Sequence, residues 1–329
     1  MKEWMKKDWL KKLAVAVGFT IVFIGSLLLM SFVFTPQDND PDNGMLDWEA
    51  TAVLAEPNDS IDAIILGDSE AYCAFSPLYI WEQQGITTYN CSTSRQTLKY
   101  SEELLHDACS KHSQKIVFLE TDRIFKSPIL WGWVTRQLIP TFSVLTYHNR
   151  WKTMSSDEVG AQRDYTHVCE LKGYKFSVEI NPADASRYMS ETTKSEYVNL
   201  INRNYIKKMK AYCEEHGAKL VLVSTPSTTN WDMKKHNGIA KLSEQLGLEY
   251  IDMNLLPDEI PINWETDTRD GGDHMNNAGA EKVSAYIGQY LANTGLFENK
   301  KTDGAYAQWN EALSKFNEQK SEAEAEAEE

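Results

Sequence analysis

Residues 61–77 read IDAIILGDSEAYCAFSP. An apolar, β-branched run over 61–66 stops at Gly67, and the polar group Asp68-Ser69-Glu70 follows at once. Such a run reads as a buried strand that ends abruptly and presents a hydroxyl at the sheet edge. The strand is rigid, and the glycine permits a turn sharp enough to push Ser69 outward. Alone, the triplet equally describes a strand-ending turn with a capping serine, so the remainder of the chain has to decide.

Working outward, SPLYIWEQQG (76–85) has a Ser-Pro start and a glycine stop and reads as a helix. TTYNC (87–91) is a short strand that runs into the polar loop STSRQT, and a long helix follows over 98–111. KIVFLETD (115–122) is a continuous apolar strand ending in acids. Further on come a helix over 196–216, a strand at 219–227, a helix at 236–247 and a strand at 248–254. Strands alternating with helices of this length imply right-handed βαβ units and a parallel sheet. Residues 123–195 are aromatic and aliphatic without one clean period. They are expected to form a helical insertion, either a cap over the site or an excursion packed on the sheet. The chain carries no internal repeat.

The N-terminus is lysine-rich, MKEWMKKDWLKK, and residues 13–34 then run without a charge, long enough to cross a bilayer. TPQDNDPDNG follows on the other side, so the charge asymmetry puts residues 1–12 in the cytoplasm and the remainder outside. This predicts a single-pass signal anchor at 13–34 and a linker at 35–60. The α/β domain is expected over 61–299; the acidic tail over 300–329 reads as helical around AYAQWNEALSKF (305–316) and ends in SEAEAEAEE, a solvated run expected to be disordered. The chain's net charge is −15, and the lysines of residues 1–12 leave the rest more acidic still. Phosphate neutralisation needs clustered cations, so nucleic acid is excluded as a partner. The five cysteines are scattered without a C-x-x-C, which argues against a zinc site; no cofactor is expected and no disulfide pair is assigned.

Near the other end, a polar loop carries Asp270-Gly-Gly-Asp273-His274-Met275-Asn276 just before a helix. In an open parallel sheet, ligands bind at the carboxyl ends of the strands, and this loop should reach that rim. A serine hydroxyl needs a base, and a histidine serves if a carboxylate fixes its tautomer. Ser69, His274 and either Asp270 or Asp273 supply those roles.

These two motifs, GDS early and D…H-x-N-x-x-G-A late, resemble the SGNH (GDSL-type) hydrolase superfamily. The closer likeness is to its membrane-anchored surface branch, related to the D-alanine transfer protein of teichoic acids and to polysaccharide O-acetyltransferases. The resemblance covers about 60–295 and implies a three-layer α/β/α, flavodoxin-like domain with Ser69 as nucleophile and His274 as base. The family's aspartate stands three residues before the histidine, where this chain has Gly271. Two glycines would let Asp270 fold back onto the ring, so Asp270 is favoured over Asp273. The family's oxyanion donors are the nucleophile's N–H, a glycine and an asparagine. Here NCSTSRQT (90–97) lacks the glycine and LETD (119–122) lacks the asparagine. Ser94, Arg95 and Gln96 are the substitutes in the first block. Asp68 and Glu70, which flank the serine, join Ser94 and Gln96 as substrate-binding or oxyanion candidates, with helix capping an equal reading of Glu70. Asp122 is expected to face away from any oxyanion. HNRW (148–151) would suit a sugar or anionic polymer, and the remaining histidines read as surface residues.

The implied activity is serine acyl-ester hydrolysis or O-acyl transfer on a cell-surface polymer, a teichoic acid or other glycan, with a membrane acyl-donor protein as partner. The missing donors keep a second reading open, a binding or assembly factor with the same fold and little turnover.

Overall fold

The computed structural model describes residues 2–126, 141–155, 158–159 and 164–327. The chain divides into two compact units: residues 1–48 with 128–166, and residues 49–127 with 167–329.

In the larger unit five parallel strands form one sheet in the order β2-β1-β3-β4-β5: β1 Ala63–Leu66, β2 Thr88–Asn90, β3 Ile116–Glu120, β4 Lys219–Ser224 and β5 Glu249–Asp252. This is the flavodoxin-like doubly wound order. Alternate strand residues point to opposite faces. Ala63, Ile65, Ile116, Phe118, Val221, Val223 and Ile251 share a core with α2 (Ser69–Ala74), α3 (Pro77–Gln84) and α7 (Asn277–Asn293). The opposite face is covered by α4 (Leu98–Lys111) and α5 (Leu200–Glu215), which pack on each other; α6 (Met233–Leu246) packs on β5. Burying each Ile or Leu of these strands contributes about 1.5–3 kcal/mol, so the sheet centre is the main store of stability.

Side-chain caps fix the helix starts. Asp68, Ser76, Thr97, Asn199, Asp232 and Asn276 each accept a backbone N–H of the first turn of α2 to α7. Gly85 and Gly247 end α3 and α6 in the left-handed conformation.

Three expectations are corrected. Residues 49–55, placed in a linker, belong to the α/β unit as short helical turns, with Ala50, Ala52 and Val53 buried. Among its described residues, the expected helical insertion is mostly not helical. Within 123–195 the described helical turns are Asp122–Phe125, Val144–Tyr147 and His148–Lys152, and the parts over 127–140, 156–157 and 160–163 lie outside the described residues. Residues 167–199 instead form an extended strap of the α/β unit, rich in Asn, Ser, Thr and Asp, which favour turns over helix. Its backbone bonds run to β2 (Asn90 N–H to Lys172 O, 2.9 Å), to Tyr72 O (2.9 Å) and to Thr268 O (2.9 Å). Gly173 is required there, since a Cβ would lie 1.9 Å from Asn90 O.

The tail is helical where AYAQWNEALSKF suggested, and the helix continues through most of the acidic run expected to be disordered. Helix α8 (Ala307–Ala327) buries Trp309 beside Trp81, with ring centroids 5.5 Å apart, and Phe316 against Tyr174 and Phe176. Lys172 lies over the Trp309 ring and pairs with Glu56 at 2.7 Å, both nearly fully buried. The acidic end of α8 is solvent-exposed, as a solvated run should be. All five cysteines are free thiols.

In the smaller unit, α1 (Lys2–Phe34) contains one stretch, Asp8–Phe34, long and apolar enough to cross a membrane. Its last turn meets residues 143–150. Ser31 Oγ accepts from Val144 N–H, and Arg150 donates to Phe34 O and Asn43 O and pairs with Glu158. Arg150 is thereby buried and spent, so it is not free to pair with a polymer phosphate, as the HNRW reading required.

Candidate active site

The strand order reverses direction between β1 and β3, and ligands of such sheets bind where the carboxyl ends of those strands diverge. Leu66 pairs with Leu119, so the segments 67–70 and 120–123 leave the sheet side by side. Gly67 is needed here for closeness rather than for a turn. Its φ is not in the left-handed region, but a Cβ would lie 2.6 Å from Glu120 Cβ and 2.7 Å from Ala71 Cβ. Ser69 is the first residue of α2, half-exposed, with Asp68 capping the helix through Glu70 N–H (3.2 Å).

Four carboxylates crowd the rim beneath it: Asp68, Glu70, Glu120 and Asp122, all buried. Burial, and then the Asp122 charge, push Asp68 up to about 6. Burial, and then Glu120, push Glu70 well above the usual carboxylate range; burial, and then Asp68, do the same to Glu120. Taking a carboxylate out of water disfavours its charge, and a like charge nearby adds to that. Asp122 pairs with Lys235 (2.7 Å) and Lys126 (3.5 Å). Glu120 folds onto Asp122 N–H, at 3.0 Å to each oxygen. Arg123 stands 3.6 Å from Asp68, and its buried Nε has no hydrogen-bond partner.

The histidine arrives on the loop between β5 and α7. Thr268 Oγ1 donates to His274 O (3.0 Å) and accepts from Gly272 N–H (2.8 Å), which draws the loop closed. Gly271 and Gly272 take φ values of +77° and +91°, a region side chains avoid. The bend brings the Asp270 carboxylate back over His274: one oxygen accepts His274 N–H at 2.7 Å and the other lies 2.5 Å from Nδ1. A carboxylate only accepts, so Nδ1 carries the proton and Nε2 is left as the acceptor. Asp273 lies 3.7 Å from Nδ1, and its other oxygen takes a hydrogen bond from Asn230. His274 is close enough to α2 for its charge to lower Asp68. Its ring also lies within 4.8 Å of the carboxylates of Glu70 and Asp273, the one grouping among the described residues that could hold a metal ion. Asn230 already occupies both carboxylates and Asp270 holds Nδ1, so each member has a protein partner.

The fold therefore brings Asp68, Ser69, Glu70, Asp270, Asp273 and His274 to one rim. Ser94 reaches it too: it is exposed, and its hydroxyl and that of Ser69 both interact with the Tyr72 hydroxyl. Gln96 does not reach the rim. It is buried, its side-chain N–H donates to Ser101 (3.0 Å) and its backbone N–H closes a turn on Thr93 O. Arg95 holds the left-handed position of that turn, φ +54°, a place that favours glycine.

Three residues of the site were not singled out from sequence. Tyr72 stands three after Ser69 on α2, and that spacing alone could have flagged it. Arg123 directly follows the acids that end β3. Asn230 bridges Glu70 (2.6 Å) and Asp273 from the loop after β4, and nothing in STPSTTN distinguishes it from a turn residue. Two histidines read as surface residues are not: His112 is buried on Val53 O (2.9 Å), and His236 pairs with Asp252 (2.7 Å) at the end of β5.

No family model and no characterised relative matches the sequence. Among solved structures the chain is similar to a lipase/acylhydrolase from Enterococcus faecalis (10% identity, TM-score 0.38, covering 71% of this chain and 97% of that one). It is similar also to a GDSL-like lipase from Bacteroides thetaiotaomicron (12%, 0.36, 74% and 94%). A third likeness is to a psychrotrophic esterase from Pseudoalteromonas sp. (11%, 0.35, 71% and 97%). With identities and scores this low, both the fold and the site chemistry rest on this chain's own geometry.

Proposed function

We propose that the chain is a membrane-anchored serine acyl esterase or O-acyltransferase of the SGNH type. The observation that carries this reading is the Asp270–His274 clamp, which leaves Nε2 as a base on the rim where Ser69 emerges. In this reading Ser69 Oγ attacks an ester or thioester carbonyl while its proton passes to His274 Nε2. The imidazolium, steadied by Asp270, returns that proton to the leaving oxygen or sulfur as the tetrahedral intermediate collapses to a Ser69 acyl-ester. Water or a glycan hydroxyl then attacks the acyl-enzyme, with His274 again as base. The Arg123 guanidinium stands in the turn after β3, the block where the family pattern has its asparagine, 3.6 Å from Asp68, and is the cation of this block that would steady a developing oxyanion.

Helix α1 is read as the anchor, with the α/β unit outside the cell. That placement favours a surface polymer, a teichoic acid or other glycan, as acceptor, and a membrane protein as acyl donor. The test is labelling of the full-length protein with a fluorescent fluorophosphonate, beside Ser69→Ala and His274→Ala. Labelling that needs both side chains is expected. A folded wild type that stays unlabelled would reject acyl chemistry and leave the fold as a binding or assembly factor.

A further inference from the structure

The end of α1 is not a loose tether. Thr35 Oγ1 lies 2.5 Å from Ser143 Oγ, Val144 N–H donates to Ser31 Oγ (3.2 Å), and Arg150 donates to Phe34 O (2.8 Å). The segment 143–150 is therefore packed against the last turn of the apolar helix. Val144 is buried on that side, while Leu145 and Trp151 stand 48% and 65% exposed beside exposed His148 and Lys152. Charge marks the same segment: none of the chain's 48 acidic residues falls between 141 and 155, and with Arg150 buried its exposed basic side chain is Lys152. In so acidic a chain, an acid-free segment beside the end of the apolar helix suits an anionic surface.

We propose that residues 141–155 form an interfacial foot, seated in the headgroup layer of the bilayer that α1 crosses. Trp151 and Leu145 dip toward the acyl chains, and Lys152 meets lipid phosphate. Amphipathic rings and lysines sit at that depth in membrane proteins, and anionic lipids attract basic segments next to a span. The hydrogen bonds to Ser31, Phe34 and Thr35 fix the level, because they tie the foot to the turn where the apolar run ends. The foot rests on the reading of α1 as a membrane span, and one experiment separates the two.

Full-length protein, one copy per nanodisc of mixed anionic and zwitterionic lipid, would carry an NBD probe at Trp151→Cys or Leu145→Cys. The background would be Cys109→Ser, the other four thiols being buried. A Phe19→Cys probe reports insertion of α1. Lipids with a quencher high on the acyl chain should lower emission at 145 and 151 by roughly half, as expected for interfacial side chains. A deep quencher should do so at position 19, and Lys152→Glu should weaken quenching at 151. Quenching at 19 without quenching at 145 and 151 overturns the foot while the anchor stands. No quenching at 19 overturns the anchor reading and the foot with it. Cross-linking between two 151 positions in discs holding two copies, with no quenching in single-copy discs, would give this face to a second copy and also reject the lipid.

Discussion

Asp270→Asn is the sharpest test of how the site is wired. The carboxamide is isosteric and keeps an acceptor for His274 N–H, but it loses the charge that opposes the imidazolium across 2.5 Å. Hydrogen bonds to charged groups contribute about 1.5–3 kcal/mol. Asp270 is 38% exposed, so solvent screens the pair, and about 2 kcal/mol is the reasonable share. That corresponds to a loss of roughly 30-fold in kcat/KM. A fully buried triad aspartate loses about 10⁴ on the same change, and the difference is the exposure. Asp273→Asn should cost less than about threefold, because its oxygen is 3.7 Å from the ring and its partner is Asn230. The assay is the second-order rate of fluorophosphonate labelling, repeated with p-nitrophenyl acetate hydrolysis. If Asp273→Asn lost as much as Asp270→Asn, the reasoning from the glycine bend would be wrong.

Three further outcomes follow from the packing. Asp68 binds its proton with a pKa of about 6 in the fold against the ordinary carboxylate value when unfolded, so the folded state holds more protons between about pH 4 and 6 and stability falls as pH rises through that window. Asp68→Asn keeps a helix cap and should raise Tm at about pH 8 while changing it little near pH 4; a rise of equal size at both would refute the titration argument. Asn230→Ala leaves Glu70 and Asp273 facing each other without their shared donor, and should cost about 1–3 kcal/mol in denaturant unfolding. Trp309→Ala removes a ring fully buried against Trp81 and Lys172 and should cost about 3–5 kcal/mol, whereas a dispensable tail would lose nothing.

What was legible in the sequence is local. The strands at 61–66 and 115–122 are apolar runs, and each falls within a few residues of its observed bounds because parallel strands are buried on both faces. The Asp270 fold-back was legible because two consecutive glycines leave little other purpose. The strap over 167–199 was not, since its partners are backbone groups of β2, Tyr72 and Thr268, and main-chain pairing leaves no side-chain period to read. The same holds for Gly67, whose reason is the Cβ of Glu120 on the neighbouring strand. Ser76-Pro77 announced a helix, but that Trp81 in it would receive Trp309 could not be seen from either end alone.

The strap has a consequence for how the molecule comes into being. Ser69 is made early, yet the loop that delivers His274 is held by Asn181, whose O accepts Gly271 N–H and whose N–H reaches Thr268 O, and it is completed by α7. Contacts so distant along the chain form slowly and late. On the proposed mechanism, the serine has no base until residue 293 has joined the fold. On that mechanism a nascent or truncated chain would display a serine that cannot act, and chemistry would switch on only when the whole α/β unit has closed.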